Sequence, residues 1–237
     1  MTVVSETTLF SSWPQEGVFE LYGAVLLRLL LLYFGFCLAI DVACQWIGHY
    51  DKIQPKKQRS WALLASECFW SVVCIVIGAV FVAVCIRAGQ RGVSKLYWDI
   101  TEYGYVFWFL QFVGTWLGND AWQYWTHRFL HEPFIYQHAH KVHHKFFAPS
   151  AFATMSFHPI EAVVQFLPSL ATLLFPVHIP SLLFSSACFF TISVVEHCGH
   201  TITWLERFSS FFCLSSPFHH DRHHQILRAN YAVYFTF

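Results

Sequence analysis

Charge is what this chain has least of. Asp, Glu, Lys and Arg make up 12% of its 237 residues, about half of the roughly 25% usual in soluble domains. Hydrophobic residues reach 56% and aromatics 19%, with a mean hydropathy of +0.44. That composition leaves too little polar surface for water, so a bilayer is the expected solvent. The formal charge is zero, from 14 basic and 14 acidic residues. Nucleic acid is therefore excluded as a partner, because phosphate binding needs a concentrated positive patch. The eight cysteines form no C-x-x-C pair, and five of them sit inside apolar runs, where Cys behaves as a small hydrophobe. Neither a disulfide framework nor a zinc ribbon is expected. No internal repeat, low-complexity tract or second soluble domain is visible. The first 17 residues are mostly polar, with no cleavable apolar stretch behind them, which argues against a removable signal peptide.

Long apolar runs are abundant. Residues 22–40 are interrupted only by Arg28, and residues 68–86 carry no charge. Each is close to the ~20 residues an α-helix needs to cross the hydrocarbon core. The loop between them, residues 51–60, holds Lys52, Lys56, Lys57 and Arg59, which places it in the cytosol by the positive-inside rule. A third run, residues 103–117, should bring the chain back to that side. Residues 162–195 then contain no Asp, Glu, Lys or Arg over 34 positions. That is too long for one crossing and too short for two complete ones. Histidine clusters flank this run on both sides, and they can share a site only if it doubles back. Pro176, His178 and Pro180 mark the turn of such a hairpin. The expected division is a polar segment over 1–21, a transmembrane anchor over 22–117 and a catalytic region over 118–237 that includes the hairpin.

Fourteen of the 15 histidines follow residue 126. His127 and His131 read H-R-F-L-H, and His140, His143 and His144 read H-K-V-H-H. His197 and His200 read H-C-G-H, and His220, His223 and His224 read H-D-R-H-H. Residues three and four apart share a helix face, so each cluster aims two or three imidazoles one way. Ten nitrogens exceed the four that one zinc takes and suit two metal ions. All-imidazole sites accept zinc, copper, iron or nickel, so the ligand type leaves the metal open. No Glu-x-x-His pair is present, which excludes the soluble carboxylate-bridged di-iron bundle. Asp120, Glu196 and Asp221, together with Asn230, are expected to support ligand rings by accepting their second N–H. His158, in F-H-P-I-E, divides between that role and packing at a helix start. His138, His178 and His219 are expected to be structural or solvent-facing.

In these motifs the chain resembles the sterol desaturase and fatty acid hydroxylase superfamily. The likeness runs from residue 97 to the end. It rests on Y-W-T-H-R-F-L-H (124–131), H-K-V-H-H-K (140–145), F-H-P-I-E-A (157–162), H-H-D-R-H-H (219–224) and N-Y-A-V-Y-F-T (230–236). Y-W-T-H-R and F-H-P-I-E-A are most similar to sterol C-5 desaturases. D-A-W-Q-Y (120–124) and H-C-G (197–199) also resemble sphinganine C4-hydroxylases, and H-H-D-x-H-H with N-Y-A resembles methylsterol monooxygenases and cholesterol 25-hydroxylases. The resemblance implies an all-α fold: about four transmembrane or re-entrant helices carrying a cytosolic, histidine-rich dimetal domain. It further implies two iron ions on the ten histidines, O2 as co-substrate and a membrane lipid, most often a sterol, as substrate. Electrons would come from NAD(P)H through cytochrome b5 and its reductase, at the endoplasmic reticulum membrane. Two departures stand out: Ala232 replaces the usual Gly after N-Y, and family members continue past Phe237, so the chain reads as a fragment or short form. Arg128, Lys141, Lys145 and Arg222 either dock an acidic electron carrier or snorkel to the interface. The competing readings are a zinc-dependent membrane hydrolase, which would need no oxygen, and a metal transporter, which would carry histidines inside its crossing helices.

Overall fold

Two long helices begin the structure, a computed structural model that describes residues 10–46, 51–56 and 60–236. The first nine residues of the expected polar segment, Lys57 and Arg59 of the basic loop, and Phe237 lie outside the described residues. Helix α1 (Val18–Trp46) and helix α2 (Trp61–Gln90) have 29 and 30 residues. At 1.5 Å per residue each is roughly 44 Å long, more than the ~30 Å hydrocarbon core. Ser60 starts α2 by accepting the Leu63 N–H on its hydroxyl, a cap that satisfies one of the free first-turn donors. Leu27, Leu31, Leu32, Leu38, Phe69 and Val80 point outward and are exposed, as suits a lipid-facing surface.

Among the described residues, three helical segments are long and apolar enough to cross a membrane: Val18–Gln45, Trp61–Gln90 and Ile179–Glu196. The protein is therefore a helical membrane protein. The expected third run forms the first half of helix α3 (Tyr105–Leu130), whose last turn holds His127. Beyond it come α4 (Pro133–Ile135), a π-helical turn over Tyr136–His140 and α5 (Lys141–His144). The apolar hairpin is asymmetric. Its outgoing limb is broken into α6 (Pro159–Phe166), a 3-10 turn containing Pro168, and α7 (Ala171–Leu174). Pro168 supplies no N–H for a continuous helix. The return limb is one helix, α8 (Ile179–Glu196), with Pro180 in its first turn. At the tip, His178 Nε2 donates to Trp98 O at 3.0 Å and its Nδ1 accepts from Ser181 at 2.8 Å. His178 is thus a structural clasp. Helices α9 (Thr203–Phe211) and α10 (Pro217–Ile226) follow.

Two short ladders tie distant segments together. Strand β2 (Leu96–Tyr97) pairs in parallel with β3 (Val177–His178) at the hairpin tip. Strand β1 (Asp51–Lys52) pairs antiparallel with β4 (His200–Thr201) at the other end.

A segment without α-helix, residues 150–156, with a single 3-10 turn over Ala151–Ala153, lies between α1 and α2, and its polar groups are met one by one. Tyr33 and Ser71 both donate to Phe152 O at 2.8 Å. Ser156 donates to Glu67 O at 2.8 Å, Cys37 to Ala151 O at 3.3 Å, and Ser150 to the Glu67 carboxylate. Irregular backbone buried at membrane depth is tolerable only with such partners. Tyr33, Cys37, Ile75, Ala151, Phe152 and Val194 close around it as one apolar cluster.

Helix α2 also meets the hairpin closely. A Cβ at Gly78 would overlap the Phe166 ring. Gly78→Ala should gain up to about 1 kcal/mol in helix propensity and lose about 1–3 kcal/mol to overpacking. The overlap wins, so thermal unfolding in detergent is expected at a lower temperature for Gly78→Ala, with partial recovery on adding Phe166→Leu.

Candidate metal centre

Nine of the ten histidines singled out in the sequence converge into two adjoining groups. His127, His131, His140, His144 and His223 form one, and His143, His197, His220 and His224 form the other; within each, the ligand nitrogens lie within 4.8 Å of one another. The motif H-x-x-H-H explains the division. Neighbouring residues on an α-helix point about 100° apart. Where the π turn runs into α5, His140 and His144 therefore go to the five-membered group and His143 to the four-membered one. On α10 the pattern is mirrored, with His220 and His224 in the second group and His223 in the first. The H-H doublets set the groups side by side, with the His144 and His224 rings 4.8 Å apart, those of His143 and His144 5.7 Å apart and those of His223 and His224 5.9 Å apart. The π turn before His140 shifts the register between α4 and α5, a local distortion common at functional sites.

The nitrogen spacing fits bound cations. His144 Nε2 lies 3.0 Å from His140 Nε2, 3.2 Å from His131 Nε2 and 3.1 Å from His223 Nε2. In the second group, His220 Nε2 is 3.0 Å from His197 Nε2 and 3.2 Å from His224 Nε2, and His197 Nε2 is 3.4 Å from His143 Nε2. One imidazole nitrogen offers a single proton or a single lone pair, so hydrogen bonds cannot satisfy three neighbours at once. Nitrogens bound at 2.0–2.1 Å to one ion are separated by about 3.0 Å at right angles and about 3.4 Å at the tetrahedral angle. His127 Nε2 is buried without a hydrogen-bond partner among the described residues, a lone pair left for an ion.

The outer ring nitrogens fix the tautomers. His140 Nδ1 donates to Glu161 Oε1 at 2.9 Å. Main-chain carbonyls serve three others: Tyr231 O for His127 at 2.9 Å, Ala229 O for His223 at 2.7 Å and Ser193 O for His197 at 2.7 Å. Each leaves an Nε2 lone pair directed inward.

The residues expected to give this support lie elsewhere. Asp120 accepts the Tyr234 and Phe235 N–H groups at 3.2 Å, and Asp221 accepts from Gln54 at 2.8 Å and from Gln225. His158 caps α6, its Nδ1 accepting from Ile160 N. Glu196 is buried, with Ser215 beside it. Asn230 acts through the backbone: at φ +58 it occupies the left-handed region Asn tolerates, and it presents the carbonyls of residues 229 and 231 to two ligand rings. Its side chain donates to His219 O at 3.1 Å. Glu161 was not singled out, although the F-H-P-I-E-A motif contains it. His200 does not join the nine. Gly199, at φ +75, reverses the chain, and pairing with Lys52 on β1 holds His200 on the far side of the turn.

Burial pushes His140, His143, His220 and His224 well below the ordinary histidine range, reinforced by neighbouring imidazoles. His131 falls to about 3, and His197 and His223 to about 4, again mainly through burial. At neutral pH the rings are uncharged, as ligands must be. In the unfolded chain histidines titrate near 6.5, so below that pH the unfolded state binds more protons and stability falls. The metal-free protein is therefore expected to melt at lower temperature as pH drops from about 7 to about 5, with no histidine contribution to the slope above about 7. Calorimetry across that range checks it.

A cavity of about 200 Å³ adjoins the centre. His127, His140, His143, His197 and His220 form one wall, and Met155, Phe157, Phe166, Phe189, Phe190 and Val233 form the apolar remainder, with Gln123, Gln165, Ser193 and Tyr234 among the polar groups. An apolar wall facing convergent polar groups is typical of a small-molecule site.

The family model described as fatty acid hydroxylase matches residues 112–237. The chain is 38% identical over 149 residues to a Delta(7)-sterol 5(6)-desaturase of Gibberella zeae, covering 62% of this chain and 45% of that protein. It is 28% identical to lathosterol oxidase of Homo sapiens over 95% of this chain and 76% of that protein. It is 30% identical to a cholesterol 25-hydroxylase-like protein of Danio rerio over 87% of this chain and 84% of that protein. Among the Delta(7)-sterol 5(6)-desaturases it matches, the chain spans 45% of one and 52% of another, about half their length. No solved structure matches it.

Proposed function

The chain belongs to the fatty acid hydroxylase family, and from that premise we propose that it is an O2-dependent di-iron oxidoreductase that desaturates a membrane sterol. The observation that carries this reading is the paired imidazole cage opening on an apolar cavity. His127, His131, His140, His144 and His223 would hold one ion, and His143, His197, His220 and His224 the other. The ions, when bound, supply the redox chemistry by which O2 oxidises an unactivated C–H bond. Zinc has no such chemistry, which separates this reading from a hydrolase.

The chain's own residues bind, orient and protect. Phe157, Phe166, Phe189 and Phe190 keep water from the imidazole wall and accept a flat hydrocarbon skeleton. Glu161 and the carbonyls of residues 193, 229 and 231 hold protons on the outer nitrogens, so the inner ones stay available. A lipid would enter sideways along the hairpin. We place the cage on the cytosolic face of the endoplasmic reticulum membrane, within reach of cytochrome b5 and its reductase. Arg128, Lys141, Lys145 and Arg222 are exposed near the histidine segments and offer a basic surface to an acidic carrier. The split into an anchor over 22–117 and a catalytic region over 118–237 belongs to the same proposal.

The names of the relatives point to the substrate: a sterol with a double bond at C7. A second double bond at C5 creates a conjugated diene with its own near-ultraviolet absorption, which hydroxylation does not. The full chain in nanodiscs, given ferrous iron, a reductase system and a Δ7-sterol, is expected to develop diene absorption in air and none under nitrogen. An oxygenated product without the diene would make it a hydroxylase, and equal turnover without oxygen would end the redox reading.

A further inference from the structure

The turn that carries His197 faces two ways. His197 points into the four-imidazole group, whereas Cys198 and His200 point toward Cys44 at the end of α1. The ligand atoms of Cys44, Cys198 and His200 lie within 4.8 Å of one another. Cys44 is 6% exposed and Cys198 4%, and their thiols are hydrogen-bonded to each other.

The backbone holds this arrangement in place. Gly199 adopts φ +75, and a Cβ there would lie 2.9 Å from Pro149 O, so only glycine makes the reversal. Lys52 pairs with His200 across the β1–β4 ladder, and Ile53 N–H donates to Gly199 O at 3.1 Å. Two carboxylates add a field that favours a cation: Asp41, one turn before Cys44, and Glu206 on α9 both act electrostatically on the thiols.

We propose that Cys44, Cys198 and His200 form a third metal site, for a thiophilic divalent cation of the zinc class. Two thiolates and one imidazole neutralise such an ion and occupy three corners of a tetrahedron, the fourth going to water or another donor. Binding releases the two thiol protons. Sulfur donors separate this site from the all-imidazole cage, since thiolates select soft cations. The ion clips the end of the first membrane helix to the turn that presents His197, and so acts as a structural staple beside the cage.

Cobalt(II) serves as the probe. Titrating the purified full chain in nanodiscs with it is expected to produce a thiolate-to-cobalt charge-transfer band in the near ultraviolet, which imidazoles cannot give. Zinc should displace the band. Cys44→Ser and Cys198→Ser should abolish it while the cage keeps its own cobalt, measured by elemental analysis as one ion fewer per chain. His200→Ala should weaken it. Should the serine variants fail to fold, zinc X-ray absorption of the unaltered protein decides, with sulfur expected at about 2.3 Å from zinc. A cage that fills without any thiolate band, a zinc spectrum with nitrogen alone, or recovery of Cys44 and Cys198 as a disulfide from fresh protein would each overturn the proposal.

Discussion

Changing His144 to alanine is expected to remove one cage metal ion per chain and to abolish turnover. No other ring has as many close nitrogen contacts among those described: its Nε2 lies within 3.2 Å of three other Nε2 atoms, on His131, His140 and His223. Those rings come from three separate segments, so no neighbour can replace the missing donor by a side-chain rotation. Removing a residue that merely supports a ligand costs roughly 10–100-fold in metal affinity or activity. Losing the ligand at the hub should exceed that, taking activity below detection. Elemental analysis and oxygen-dependent turnover check both parts. His138→Ala is the matching control, because that ring is exposed and donates to Phe134 O at 2.7 Å. It should keep both metal and activity. A His144→Ala protein that did the same would remove the basis for the cage.

The second large effect is expected at Glu161. Its carboxylate is 1% exposed and accepts the His140 Nδ1–H at 2.9 Å. Without metal, burial pushes Glu161 up and His140 down, so the pair is neutral. A cation on His140 Nε2 reverses the preference, because it stabilises a negative charge behind the ring. Glu161→Gln keeps an oxygen to accept the hydrogen bond and removes only that charge. It should weaken metal binding and slow turnover by roughly 10-fold, and Glu161→Leu, which loses the hydrogen bond as well, by nearer 100-fold. Competition of each variant with a calibrated chelator measures the difference. An affinity for Glu161→Gln equal to that of the unaltered protein would show that charge plays no part, and equal affinities for Gln and Leu that the hydrogen bond plays none.

Much of this site was legible because a histidine pair three or four apart can face only one way on a helix. The clusters on α3, α5 and α10 follow from spacing alone, and so does the hairpin, since 34 residues without formal charge had to double back. The division of labour within H-x-x-H-H was equally available from the 100° step between neighbours. The supporting groups were harder. Glu196 and Asp221 stand next to ligand histidines in sequence, and that adjacency turns their side chains away from the rings they were expected to hold. The actual acceptors at Ser193, Ala229 and Tyr231 are main-chain carbonyls, which carry no residue signature. His200 escaped for a related reason: spacing cannot reveal that Gly199 reverses the chain between it and His197. The buried segment over residues 150–156 was not foreseen either, because seven residues are too short a window for a hydrophobic period to reveal burial.

That segment has a bearing on how far the protein can be taken apart. It is the span joining His144 to Glu161, and the hydroxyls that hold it, on Tyr33 and Ser71, belong to helices embedded in lipid. Freed from those helices, the Phe152 carbonyl and the Ser156 hydroxyl would be stranded where no water reaches. The histidine-rich half therefore has no floor of its own, and a thinned or detergent-swollen membrane that spreads α1 from α2 should loosen the imidazoles before it disturbs anything nearer the hairpin tip.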